Sequence, residues 1–180
     1  MADDVRIALL LPADLVDYKR LRDGMLAGHE QAFSSDAAQE RGRDAASYQA
    51  RLHAEVGGRA LFTLGAWMDG RLVGALTCER EARGKARHQA QLVGMMVDDM
   101  AQGRGLGRRL LQTALALLRR DPSLEMVTLS VTATNKRAYE LYRRAGFVRY
   151  GRLPRALRMP DGRYLAKDLM VCDLRPAALE

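Results

Sequence analysis

At 180 residues the chain has the length of one domain, and its 48% apolar content is enough for a substantial core and argues against a disordered chain. The charge is +7, from 29 basic and 22 acidic residues. The arginines are dispersed and aromatics make up only 6%, so no basic-aromatic stripe for nucleic acid is formed. No apolar stretch reaches bilayer length, and Met1-Ala2-Asp3-Asp4 lacks a signal-peptide pattern; a cytoplasmic protein with no membrane and no nucleic-acid partner is expected.

Val5 to Leu10 reads as a first short strand, stopped by Pro12. Residues 13–28 carry Leu15, Tyr18, Leu21, Met25 and Leu26 near helical spacing, and Gly28 closes that helix. Residues 29–43 are polar and poorly periodic, a loop or broken helix. Tyr48, Leu52 and Val56 recur every four residues, which predicts a second helix over Ala45–Val56 with Gly57-Gly58 as its stop. Ala60–Met68 and Arg71–Arg80 flank Asp69-Gly70, a two-residue hairpin signal. After a charged turn at Arg83–Arg87, Gln89–Val97 is a third strand. Leu106–Arg119 is an amphipathic helix, with Leu110, Leu111, Ala114, Leu117 and Leu118 inward and Asp121-Pro122 after its end. Met126–Thr132 is then a strand parallel to its predecessor. Asn135–Ala145 is a short helix ended by Gly146, and Phe147–Leu153 and Tyr164–Leu174 are the last strands. The two cysteines, Cys78 and Cys172, sit in apolar runs as buried thiols, and no His/Cys cluster has metal-ligand spacing, so no metal is expected.

The chemistry concentrates at Gln102-Gly103-Arg104-Gly105-Leu106-Gly107-Arg108. It joins an apolar strand to an amphipathic helix, an arrangement in which loop and first-turn N–H groups converge on phosphate oxygens. Arg104, Arg108 and Arg109 add full charges. The loop lacks the Lys-Ser/Thr pair of a P-loop and the Gly-x-Gly-x-x-Gly spacing of a dinucleotide fingerprint.

Gln-x-x-Gly-x-Gly after a strand ending at Val97 resembles the acetyl-CoA loop of the GNAT N-acetyltransferase superfamily. Downstream, the segment from Asn135 through Ala138, Leu141 and Tyr142 to Gly146-Phe147 is similar to the superfamily's Asn-x-x-Ala-x-x-Leu-Tyr-x-x-x-Gly-Phe. The resemblance is strong from Leu61 to Phe147 and weaker at both ends. It implies an α/β fold with a mixed, mostly antiparallel sheet, a splayed parallel strand pair and flanking helices, as a single domain over 1–180. It implies an N-acetyltransferase that moves an acetyl group from acetyl-CoA to a primary amine of a small molecule, peptide or protein; a non-catalytic acyl-CoA-binding module is the alternative. Cofactor contacts are expected at Met95, Val97, Gln102, Gly103, Arg104, Gly105, Leu106, Gly107, Arg108, Asn135 and Tyr142. Within them, Gly94-Met95-Met96 suits the bulge that opens the strand pair, with the Met95 N–H toward the acetyl carbonyl and the Val97 backbone on pantetheine. Tyr142 is the expected acid for the departing thiolate, placed inward on the Ala138, Leu141, Ala145 face, or else a core tyrosine; Asn135 contacts pantetheine, caps its helix, or both. Glu79 and Glu81 compete with Glu30 and His29 as the base, His88 is expected at the turn surface, and an acceptor amine of modest pKa needs no dedicated base. The acceptor is expected on the His29–Ser35 loop, with Glu30 and Phe33, and near the hairpin of the final strands. Exposed edge strands make a homodimer possible.

Overall fold

The computed structural model describes residues 4–52 and 60–175. Seven strands among them form one sheet: β1 (Val5–Leu9), β2 (Ala60–Met68), β3 (Arg71–Arg80), β4 (Gln89–Val97), β5 (Met126–Thr132), β6 (Val148–Arg158) and β7 (Tyr164–Asp173), in the order β1-β2-β3-β4-β5-β7-β6. Every neighbouring pair is antiparallel except β4 and β5. The β2–β3 hairpin closes as expected, with Met68 opposite Arg71 and both Asp69 and Gly70 at positive φ, the twist that suits a two-residue connection.

Helices α1 (Leu15–Gly28) and α2 (Ala37–Arg41) lie between β1 and β2 in sequence, and α3 (Leu106–Leu118) and α4 (Lys136–Arg144) follow β4 and β5. Period-two alternation divides the core between the two faces. Leu64, Ala66, Leu76 and Cys78 pack with α3, Tyr142 and Phe147, whereas Trp67, Leu72 and Ala75 pack with α1, Tyr48 and Leu52. On α3 the buried stripe is Leu106, Leu110, Leu111, Ala114, Leu115 and Leu118, so Leu115 replaces the expected Leu117 as a fully buried member.

Two element expectations change. Over Ala45–Arg51 the chain is a 3-10 helix rather than the start of an α-helix; Asp44 caps it by accepting from the Ala46 N–H, and residues 53–56 of the expected Ala45–Val56 helix and its Gly57-Gly58 stop lie outside the described residues. The β6 strand runs to Arg158 instead of ending at Leu153. Its ladder with β7 skips from Leu153↔Lys167 to Leu157↔Leu165, and the residues between form a bulge in which Arg155 has φ of 52°. Such a bulge on an outer strand accommodates Pro154, which cannot donate to a ladder.

Candidate active site

The loop after β4 is shaped for an anion. Gly103 and Gly105 both have left-handed φ, 81° and 74°, a conformation that turns successive N–H groups toward one side. Gly105 is the N-cap of α3, which has neither a side-chain cap nor an acidic residue in its first turn. Helix starts commonly carry both, so this one leaves its donors and the positive end of its dipole for a ligand. The expected Gln102 anchors the loop: its Nε2 donates to Asp99 Oδ1, and its Oε1 accepts from Arg137 Nη1 at 2.6 Å.

Beside that loop the sheet opens. Strands β4 and β5 pair only at Gln89↔Met126, Ala90↔Val127 and Gln91↔Thr128, and then diverge. The cause lies partly on the other edge of β4. Met96 faces Ala75 and Val93 faces Thr77, so Gly94 and Met95 together oppose Leu76 alone. Gly94, at φ of 62°, is the left-handed residue of this bulge. A bend at Gly94 pulls the end of β4 away from β5 and leaves a gap between their C-terminal halves.

A cleft of about 960 Å³ joins the loop to this gap. Of the expected cofactor residues, Met95, Val97, Gln102, Gly103, Gly105, Leu106, Gly107, Arg108 and Asn135 line it. Arg104 does not; it is exposed on the loop. The walls also include Arg137, Ala138, Leu141 and Arg144 of α4, and at the opposite end Met25, His29, Ala32 and Phe33.

Tyr142 does not line the cleft. Spacing puts it on one face with Ala138, Leu141 and Ala145, but the structure divides that face. Ala138, Leu141 and Ala145 border the cleft, while Tyr142, 7% exposed, turns into the core and meets Phe147 edge to face at 5.9 Å. Burial pushes its phenol up to about 12, so it holds its proton at neutral pH and is suited to give a proton, not to take one. Asn135 does cap its helix, accepting from the Ala138 N–H at 3.1 Å, and it also faces the cleft.

On the acceptor side the stretch expected to be a loop is a turn of 3-10 helix, Glu30–Ala32, pinned at three points. His29 Nε2 lies 2.8 Å from Asp99 Oδ1, Thr132 Oγ1 donates to the Gln31 carbonyl, and Lys167 Nζ donates to Ser34 Oγ. Asp99, Thr132 and Lys167 come from the region around the splayed pair and were not singled out in the sequence, because nothing local in it marks a partner so far away in the chain. A second cavity, about 570 Å³, lies between Glu30, Phe33, Ser34 and Ser35 and the Ala156–Pro160 end of the final hairpin. Glu30 lines this cavity only, whereas Phe33 lines both. Of the candidate bases, Glu79 sits opposite Gln91 in the β3–β4 ladder; it, Glu81 and His88 line neither cavity. Cys78 and Cys172 are buried free thiols, and burial raises both their pKa values, which leaves them unreactive. Among the described residues no helix is long and apolar enough to cross a membrane.

The fold recurs widely among solved structures. A GNAT-family acetyltransferase from Streptococcus pneumoniae superposes with a TM-score of 0.79 at 20% identity, over 94% of this chain and 99% of that one. The yncA protein of Salmonella typhimurium, solved with its cofactor acetyl-CoA, gives 0.78 at 20% identity over 98% of each chain. In sequence, mycothiol acetyltransferase of Salinispora tropica is 33% identical over 128 residues, 71% of this chain; the match spans 41% of that longer relative. Residues 26–147, which hold the loop, the bulge and the splayed strands, match the acetyltransferase (GNAT) family. The chain belongs to that family of acyltransferases.

Proposed function

We propose that the chain is a single N-acetyltransferase domain that moves an acetyl group from acetyl-CoA to a primary amine. The observation that carries this reading is the continuous cleft from the uncapped start of α3 to the gap beside the β4 bulge. It offers N–H donors for a pyrophosphate at one end and opened strand edges for an extended amide-bearing arm at the other.

When bound, acetyl-CoA supplies an acetyl thioester. The backbone of Gly103 to Arg108 holds the pyrophosphate, with Arg108 and Arg137 at the walls for the remaining charge. The Val97 backbone pairs with pantetheine, and the Met95 N–H polarises the acetyl carbonyl as negative charge develops on its oxygen. The neutral amine attacks that carbon, the C–S bond breaks, the amide nitrogen gives up a proton and the departing thiolate takes one up; Tyr142, behind the Leu141 and Ala145 wall, is the candidate donor for the thiolate. Glu30 and Phe33 border the space the acceptor occupies, and Phe33, which faces both cavities, stands where the two substrates meet. Self-association would use the outer strand β6, which exposes Val148, Tyr150 and Leu153.

The test is thiol release from acetyl-CoA across a panel of amines and peptide N-termini, run beside calorimetric binding of acetyl-CoA. Binding with turnover of at least one amine is expected. Binding without any turnover supports instead a non-catalytic acyl-CoA-binding module, and the packing of Tyr142 away from the cleft is the observation on that side.

A further inference from the structure

Behind the β4 bulge two hydrogen-bond donors lie near Gly94 and meet no acceptor among the described residues. Tyr18 of α1 is fully buried at 0% exposure, and its hydroxyl has no hydrogen-bond partner among the described residues. Its ring is held by Tyr48, edge to face at 5.5 Å. Arg51, at the end of the 3-10 helix, has its guanidinium over the Tyr48 ring at 6.0 Å and no ion pair among the described residues. Both point at Gly94. A Cβ built there would lie 3.4 Å from Arg51 Nη1 and 4.0 Å from Tyr18 Oη.

That point has two properties. It is one residue from Met95, whose N–H is assigned to the acetyl carbonyl. It also lies on the α1 face of β4, where Tyr18 shares a core with Met25 and Met96, both of which border the main cleft. A buried hydroxyl left without an acceptor is destabilising. A pair of donors, one of them cationic, is complementary to an anionic oxygen. Arg51 is half-buried, whereas Tyr18 is fully enclosed.

We propose that Tyr18 and Arg51 hold a carboxylate oxygen of the acceptor, on the carbon next to its attacking amine, and that the acceptors are therefore α-amino carboxylates. This rests on the transferase reading. In such a molecule the carboxylate carbon is two bonds from the nitrogen. An amine placed at the acetyl group beside Met95 thus carries its carboxylate to the neighbouring Gly94. The positive guanidinium there also disfavours the ammonium form, which leaves more of the amine neutral for attack.

The experiment measures kcat/KM with acetyl-CoA for the common free amino acids, their α-carboxamides and the matching amines that lack the carboxylate. Free amino acids are expected to lead, because a hydrogen bond to a charged group is worth roughly 10–100-fold. Tyr18→Phe and Arg51→Gln should each bring the ratio between amino acid and carboxylate-free amine toward one, through the acceptor KM. Tyr18→Phe should also leave the thermal midpoint of the free protein unchanged or raised, since it deletes a buried group with no partner. Carboxamides that match the free acids would point to a peptide N-terminus and overturn the assignment to carboxylates. An equal fall in kcat for all three series would place the two donors on the transition state instead, and a lowered midpoint in Tyr18→Phe would make the hydroxyl structural; either overturns the proposal. Acetyl-CoA binding with no amino acid acetylated overturns it and leaves the transferase reading standing. Failure to bind acetyl-CoA removes both.

Discussion

At the scale of single residues, the proposed roles of Gly105 in binding and of Tyr142 in proton transfer can be tested separately. Gly105 has φ of 74°, and a Cβ there would meet nothing within 4 Å. A side chain at this position is therefore opposed by the left-handed backbone and by the ligand, not by neighbouring protein. Gly105→Val should weaken acetyl-CoA binding in calorimetry while the far-ultraviolet circular dichroism spectrum stays that of the folded protein; undiminished affinity would remove the loop from the binding site. Tyr142→Phe keeps the ring contact with Phe147 and deletes only the hydroxyl. If that hydroxyl protonates the thiolate, turnover should fall by roughly 10²–10⁴-fold with little change in acetyl-CoA affinity. An unchanged single-turnover rate would return Tyr142 to core packing, the role its present contacts already show.

At the scale of elements, α1 and the short helices after it are joined by a buried ion pair. Glu40 of α2 accepts from Arg22 Nε at 2.8 Å and from the Tyr48 hydroxyl at 2.7 Å, with Arg43 at 3.3 Å. Burial alone would raise the Glu40 pKa, but the hydrogen bonds from Tyr48 and Arg22 and the charges of Arg22 and Arg43 outweigh it, leaving it at about 2. Arg22 also donates to Ser35 Oγ, so the same pair steadies the loop beside the second cavity. Because the folded pKa lies below the ordinary value of 4.5, the stability Glu40 contributes is complete above that pH and is lost as pH falls toward 2. Glu40→Gln removes the negative charge and leaves Arg22, 2% exposed, uncompensated. It should cost about 3–5 kcal/mol in urea unfolding at pH 7. The gap from the native protein should narrow as pH falls through the same window. A gap that stays constant down to pH 2 would mean that the carboxylate charge is not what holds these elements together.

At the scale of the whole molecule, strand order places the gap in the sheet. The only parallel pair among the described strands lies inside the sheet, flanked by β3 and β7, and it is there that the ladder stops after three residue pairs. A ligand that bridges β4, α3 and α4 links elements from residues 89–144 and binds only when they are assembled, so it stabilises the fold by mass action. Acetyl-CoA at a hundred times its dissociation constant should add about 2.7 kcal/mol. For a chain of this size that raises the melting midpoint by roughly 5–10 °C, which differential scanning fluorimetry resolves. No shift at millimolar acetyl-CoA would contradict the cofactor assignment.

Local rules acting alone determined much of this. Asp69-Gly70 forces a tight turn, the leucine stripe of α3 has one apolar face to bury, and Gly103 and Gly105 allow a backbone that most residues resist; each is legible in a few consecutive letters. The order of the elements was readable along the chain, and the family resemblance supplied the expectation of a bulge, which Gly94 placed in β4. Tertiary structure decided what depends on pairing between distant residues. Helical spacing could not say which side of the Ala138–Ala145 face meets solvent, because that depends on where Phe147 and the sheet lie; the outcome separates Tyr142 from Leu141. Nor could it show His29 beside Asp99, Thr132 beside Gln31, or Tyr18 and Arg51 beside Gly94, since each contact joins residues 43 or more positions apart. Backbone propensity is a property of neighbours in sequence, whereas a binding site is made by the convergence of side chains in space, and that convergence exists only once the sheet has closed.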